Sequence, residues 1–303
     1  MDGMPSHPEA VQRAPSLVFA RRDTGDLVLD LYRPPGADGP VPVVLWLHGG
    51  GWFTGDRKLA PDLAPRVLAT GCAMASIEYR LSGQALFPAQ WHDVRAAIRF
   101  LRVNSARYGL DPDAIGLWGA SAGGHLAALT GLTGRLDTVP GERETGAVPV
   151  RAVAAAYPPV DLAEVVADAE AAGRPGESSP EARLLGGHPV DRPDAARQAS
   201  PLTWITADAP PFQLSHGTGD VLVSHRQSER LHAALVAGGV PSELYLLDSY
   251  PHAFLTATEP FSTASAVRRT ALDGDKPVEF GFPDIDNFFR KHLRNPSTTG
   301  ENR

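Results

Sequence analysis

Residues 116–126 read GLWGASAGGHL: an apolar run that stops at Gly119, sets Ser121 between two alanines, and resumes its apolar character after Gly123 and Gly124. A plain turn from a buried strand into a helix tolerates small residues of this kind. A nucleophile held at a sharp strand-to-helix reversal requires them, because the strained backbone leaves no space for side chains on its flanks. AIGLWG (114–119) reads as a short buried strand, and the segment after Ser121 runs helically through His125, Leu126 and Leu129. The G-x-S-x-G pattern alone is common by chance. Its position between those two elements makes Ser121 a candidate nucleophile.

The chain on either side keeps one rhythm. SLVFARRDTGDLVLDLYRP reads as two strands joined across Asp23, Thr24 and Gly25. VPVVLWLH (41–48) and CAMASIEY (72–79) are strands too apolar to have a wet face. WHDVRAAIRFLRVNSARYG (91–109) carries Val94, Ala97, Ile98 and Leu101 at helical spacing, with arginines among them. VRAVAAAYPP (150–159), PFQLSHG (211–217) and SELYLL (242–247) complete the apolar strands, and helices are expected at 224–237 and 284–293. Apolar strands alternating with helices imply an α/β class with a mostly parallel central sheet flanked by helices. Residues 161–207 break the rhythm with a helix-like stretch, then Pro, Gly and Ser, then ARLLGG. An insert of that length in a compact domain reads as a lid or cap. At 303 residues the expectation is a single domain, 1–303, containing that insert.

A serine hydroxyl is a weak nucleophile and needs a base, which in turn needs a carboxylate to hold its tautomer. On such scaffolds the chain order is Ser, then Asp or Glu, then His. PFQLSHGTGD runs a buried strand into Asp220, and LYLLDSYPHAF places His252 a few residues past the next strand. Asp220 and His252 are the candidate acid and base. Asp248 competes weakly with Asp220, and His125, His216, His225 and His232 read as structural, with His216 placed to orient its loop. Acyl transfer also needs donors for the developing oxyanion, and losing one can slow catalysis ~100-fold. LWLHGGGWFTGD places Gly49, Gly50 and Gly51 directly after an apolar strand, so the N–H groups of Gly50 and Gly51, with that of Ala122, are the candidate oxyanion hole. A phosphate-binding reading fails because the chain lacks the Lys-Ser/Thr of a P-loop and the spacing of a dinucleotide fold. Large residues beside these motifs, Trp52, Phe87, Trp91, Tyr157, Phe254 and Trp204, are candidate pocket walls.

Composition narrows the partners. Hydrophobic residues make up 43% and charged residues 21%, with a formal charge of -7, which argues against nucleic acid or an anionic membrane. One cysteine, Cys72, excludes an internal disulfide and a thiolate cluster, and no metal or cofactor is expected. No segment has the ~20 apolar residues of a membrane span, and the N-terminus does not read as a signal peptide, so the expected location is cytoplasmic.

HGGGW, EYRL, FPAQWHDVRAAIRFLR, GLDPDAIGLWGASAGGHLAAL, HGTGD and PHAF together resemble the α/β-hydrolase serine esterases of the hormone-sensitive-lipase-like superfamily. The nearer likeness is to the bacterial feruloyl-esterase-like or acetyl-esterase-like branch, and it covers most of residues 40–256. The resemblance implies an α/β-hydrolase fold and a serine carboxylesterase acting on a small-molecule ester, short-acyl or aryl, through an acyl-enzyme. It assigns Ser121, Asp220 and His252 as nucleophile, orienting acid and base, and Gly50, Gly51 and Ala122 as oxyanion donors. An amide-cleaving relative such as an arylformamidase is the alternative within the class, and a non-catalytic ligand-binding protein on this fold is the alternative outside it. The chain departs from many relatives after His252, where residues 255–283 intervene before the last helix. That stretch reads as a flap over the site or as a contact in a homodimer.

Overall fold

The computed structural model describes residues 10–256 and 261–294. Ten strands form one sheet: β1 Gln12–Arg22, β2 Gly25–Arg33, β3 Val41–Leu47, β4 Ala73–Ile77, β5 Leu110–Ala120, β6 Ala152–Ala156, β7 Phe212–Gly217, β8 Ser242–Leu247, β9 Thr263–Thr270 and β10 Gly274–Gly281. The helices are α1 Leu63–Thr70, α2 Ala89–Val103, α3 Ser105–Tyr108, α4 Ala122–Thr133, α5 Leu162–Ala171, α6 Pro180–Leu185, α7 Pro193–Ala199, α8 Arg226–Ala237 and α9 Phe282–Leu293. Strand order is β1-β2-β4-β3-β5-β6-β7-β8-β9-β10. The six strands from β4 to β8 pair in parallel, and both ends of the sheet are antiparallel.

Strand β3 shows why the sheet needs helices on both sides. Val43, Leu45 and Leu47 share a buried cluster with Val94, Ile98 and Leu126 of α2 and α4. Val44 and Trp46 point the other way, into a cluster with Val67 of α1 and Phe289 of α9. Side chains alternate across a strand, so a run that is apolar at every position must be covered on both faces. The described part of α4 is buried at every position, from Ala122 to Thr133. A helix buried on every side has no wet face. It carries Ser121 at its start, which anchors the reversal firmly in the core.

The helix expected over 91–109 begins two residues earlier and breaks at Asn104, which separates α2 from α3 and whose side-chain amide donates back to the Phe100 carbonyl instead of capping α3. The stretch 255–283 is built largely as sheet rather than as a flap, although its Thr256 borders the same cavity as Ser121 and His252. Most of it forms the β9–β10 hairpin, which adds to the sheet through antiparallel pairing with β8, from Glu243 opposite Thr270 to Leu247 opposite Ala266. Alternation in TASAVRRT buries Ala264 and Ala266, and Phe280 follows from β10. Small alternating side chains carry a weak periodic signal, yet they suffice for a strand whose neighbour supplies the template. Residues 257–260 of that stretch lie outside the described residues.

Candidate active site

The three candidate residues come from loops at the same edge of the sheet. Ser121 follows β5, Asp220 follows β7 and His252 follows β8. His252 Nε2 lies 2.9 Å from Ser121 Oγ, and His252 Nδ1 lies 2.5 Å from Asp220 Oδ2. In the tautomer that fits both contacts, Nδ1–H donates to the carboxylate and Nε2 accepts the serine proton.

Ser121 sits at φ 54 and ψ -123, a conformation that L side chains rarely adopt. It is held there by its own N–H, which donates to the Ala156 carbonyl at 2.9 Å, and by the His125 N–H, which donates to the Ser121 carbonyl at 2.9 Å. Gly123 is required for a steric reason. A Cβ on it would collide with the carbonyl oxygens of Leu47 and His48, where the elbow presses on the end of β3.

The acid and base loops brace each other. Gly219 N–H donates to the Tyr250 carbonyl at 3.1 Å, and Ser249 N–H donates to Thr218 Oγ1 at 2.8 Å. Asp220 Oδ1 accepts the N–H groups of Leu222 and Val223 at 2.9 and 3.0 Å. His216 Nε2 is 3.2 Å from Asp220 Oδ2 and 2.9 Å from the Val223 carbonyl, while its Nδ1 faces Ser228 Oγ at 2.7 Å. Nε2 is therefore the protonated nitrogen, shared between the two acceptors. Burial opposes charge on Asp220, but the hydrogen bonds from His216, His252 and the Val223 N–H outweigh it and hold the carboxyl below the usual range. Burial also lowers the His216 pKa, keeping that ring neutral.

On the opposite wall, Gly50 at φ 100 and Gly51 at φ 57 turn the loop after β3 so that Phe53 and Thr54 N–H both donate to the Gly50 carbonyl, at 3.1 Å each. A Cβ on Gly50 would strike the Thr54 backbone. Gly49, Gly50, Gly51, Ser121 and His252 border one cavity of about 730 Å³. Ala122, the first residue of α4, is fully buried behind Ser121.

The pocket-wall expectations divide. Trp52 and Tyr157 line the cavity. Tyr157 packs its ring 4.7 Å from that of His252, which limits how the imidazole can turn. Phe87, Trp91 and Phe254 do not line it. Trp91 is fully buried, stacks with Phe87 at 5.9 Å and meets Trp204 edge-on at 5.6 Å, over Leu129 and Val139, in a separate cluster. Phe254 lies behind Tyr157, 4.9 Å away, against Phe261. Aromatic residues beside a motif fill core as readily as they face a ligand. The walls that the motifs did not reveal are Phe53, Leu59, Leu222 and Val223 on one side, and Val165, Ala169, Arg174 and Ser178 to Glu181 from the 161–207 insert on the other. Helix α6 packs tightly on the glycine loop: Pro180 Cβ is 3.1 Å from where a Cβ on Gly51 would sit. Among the described residues, no group of three or more His, Cys, Asp or Glu could hold a metal ion, and no helix is long and apolar enough to cross a membrane.

Residues 29–235 match the BD-FAE family model. The chain belongs to the BD-FAE family. The family assignment agrees with its relatives among characterised proteins. Over 76% of its length the chain is 36% identical to Esterase LipQ of Mycobacterium tuberculosis, covering 55% of that protein. Over 64% of its length it is 32% identical to Esterase LipC of the same organism, covering 49% of it. The chain thus spans about half the length of these curated relatives. A solved truncated form of a carbohydrate esterase from gut microbiota superposes with a TM-score of 0.75 at 27% identity, over 95% of this chain and 99% of that one. The fold of this BD-FAE member is therefore that of the α/β-hydrolase esterases, as the motifs imply.

Proposed function

We propose that the protein is a serine carboxylesterase that hydrolyses small esters through an acyl-enzyme. The observation that carries this reading is the unbroken contact chain from Ser121 Oγ through His252 to Asp220, at 2.9 and 2.5 Å, opening into the cavity. His252 Nε2 takes the proton as Ser121 Oγ attacks the ester carbonyl, then returns it to the leaving alcohol. Asp220, kept ionised by its donors, holds the imidazole tautomer and offsets its charge. The N–H groups of Gly50, Gly51 and Ala122 receive the developing oxyanion. Water, activated by the same histidine, then releases the acid.

The names of LipQ and LipC support ester over amide as the bond cleaved. A cavity of about 730 Å³ suits a small ester of the short-acyl or aryl kind, since pockets for small molecules run from roughly 300 to 1,000 Å³. The insert 161–207, whose residues border the cavity, serves in this reading as a cap within a single domain. The decisive experiment pairs the parent with Ser121→Ala on short p-nitrophenyl esters and with a fluorophosphonate probe. Hydrolysis and a mass increase on Ser121 are expected in the parent, and neither in the variant. Equal rates in both proteins sink the reading, and absence of labelling in the folded parent points to a non-catalytic binding protein. Comparing N-formylkynurenine with aryl acetates separates an esterase from an arylformamidase.

A further inference from the structure

Glu181 places a carboxyl group where ionisation is costly. It lies in the first turn of α6, is 6% exposed, and lines the same cavity as Ser121 and His252. A first-turn glutamate commonly reaches into solvent, where the helix end favours its charge. This one turns inward although α6 has its cap already: Ser179 Oγ accepts the Ala182 N–H at 3.0 Å. The hydroxyl proton of Ser179 is then free for Glu181. The groups acting on Glu181 are that hydroxyl and its own backbone N–H, with Arg174 acting through its charge alone. Burial raises the Glu181 pKa above the usual carboxylate range. Among the described residues Glu181 forms no ion pair within 4 Å, and a buried acid bordering a cleft is a candidate contact for a ligand.

Position and charge narrow what that is. Pro180, the neighbour of Glu181, presses on Gly51, so the first turn of α6 borders the cavity beside the expected oxyanion loop, and Glu181 lines that same cavity. Arg174 borders the same cavity, and its charge disfavours an ammonium group there. Glu181 itself disfavours a carboxylate. A neutral hydroxyl, which can donate to one and accept from the other, suits both.

We propose that Glu181 is a substrate-selecting residue: its carboxyl group accepts a hydrogen bond from a hydroxyl carried by the ester, so that hydroxylated esters are preferred to plain alkyl esters of equal size. The proposal rests on the esterase reading above and deepens it. A site built to hydrogen-bond a hydroxyl discriminates strongly against the analogue that lacks it, because the buried polar group is left unpaired.

The test compares kcat/KM within two matched pairs, one for each side of the ester. Glycerol monobutyrate is set against 2-methylbutyl butyrate, and methyl 3-hydroxybutyrate against methyl isovalerate. The parent is expected to prefer the hydroxylated member of at least one pair by about tenfold or more, the factor that one net hydrogen bond of ~1.4 kcal/mol supplies. Glu181→Leu is expected to abolish that ratio and Glu181→Gln, which keeps an acceptor in place, to retain most of it. A purely structural role would lower both members of a pair alike and leave the ratio unchanged, which overturns the proposal. So does a parent with no preference in either pair. Fluorophosphonate labelling of Ser121 checks that each variant is folded. If Glu181→Leu does not fold, Glu181→Asp replaces it and is expected to reduce the ratio by withdrawing the carboxyl. Hydrolysis of all four esters without preference defeats the Glu181 proposal alone, whereas no hydrolysis and no labelling of the parent defeats the esterase reading with it.

Discussion

Trp52 Nε1–H donates to His125 Nδ1 at 3.2 Å, and the other nitrogen of that ring, Nε2, donates to the Ala199 carbonyl at 2.6 Å. One buried imidazole therefore ties the glycine loop after β3 to α4 and to the end of α7 in the insert. Trp52 itself is held at φ 61, so the loop geometry depends on this anchor. His125→Phe keeps the bulk but strands a buried indole N–H and a carbonyl. We expect a loss of about 2–6 kcal/mol in unfolding free energy, read by urea titration, since each of the two unpaired buried groups costs ~1–3 kcal/mol. A fall in kcat/KM of about tenfold or more should accompany it, because small displacements of a catalytic loop are costly. An unchanged kcat/KM would mean that the loop holds its shape without His125.

Gly123→Ala drives a Cβ into the Leu47 and His48 carbonyl oxygens, neither of which is a flexible side-chain end. The elbow must shift from β3. We expect a fall in stability of ~3 kcal/mol or more, beyond the typical point-mutant cost of ~1 kcal/mol, together with loss of esterase activity. Thermal unfolding of the variant beside the parent checks this, and a melting temperature within a degree or two would refute the steric account.

Ala169 faces the cavity from α5 in the insert. Ala169→Phe should fill part of that wall and slow longer acyl chains more than acetate. The measurement is the ratio of octanoate to acetate p-nitrophenyl ester rates, expected to drop severalfold. A ratio that stays put would place the substrate elsewhere in the cavity.

His48 and His125 give the fold an acid limit. Burial, the largest influence on each, pulls their pKa from 6.5 to about 4, against weaker opposing hydrogen bonds to the Gly49 and Ala199 carbonyls. Between about 4 and 6.5 the unfolded chain binds more protons than the native one, so stability falls as pH drops through that window and is full above it. Each ring contributes on the order of 3 kcal/mol to the fall. Burial lowers the His216 pKa too, which adds in the same direction. Urea midpoints at pH 7 and pH 5 should differ markedly, and His125→Gln should narrow the gap. Equal midpoints would contradict the neutral, buried state of these rings.

Some features of this chain are local in origin and readable from the residues alone. The elbow around Ser121 needs small neighbours because β3 passes within contact distance of Gly123, and that demand is written into five consecutive residues. The loops carrying Asp220 and His252 follow runs apolar enough to be strands without any knowledge of what they pair with. The parallel sheet follows from strands such as β3 that bury both faces. Other features belong to distant partners. Phe87 and Trp91 have the chemistry of pocket walls, yet Trp204, more than a hundred positions away, closes them into core. The β9–β10 hairpin takes its register from β8, which a weak alternation of small residues could not announce. His125 looks like any helix histidine until Trp52 and Ala199 converge on it. Chain geometry and steric demand act over a few residues, so sequence alone determined the backbone turns and the order of the candidate triad. Which side chains border the cavity, and that Glu181 is among them, depends on packing between segments far apart in the chain, and only the tertiary structure decided it.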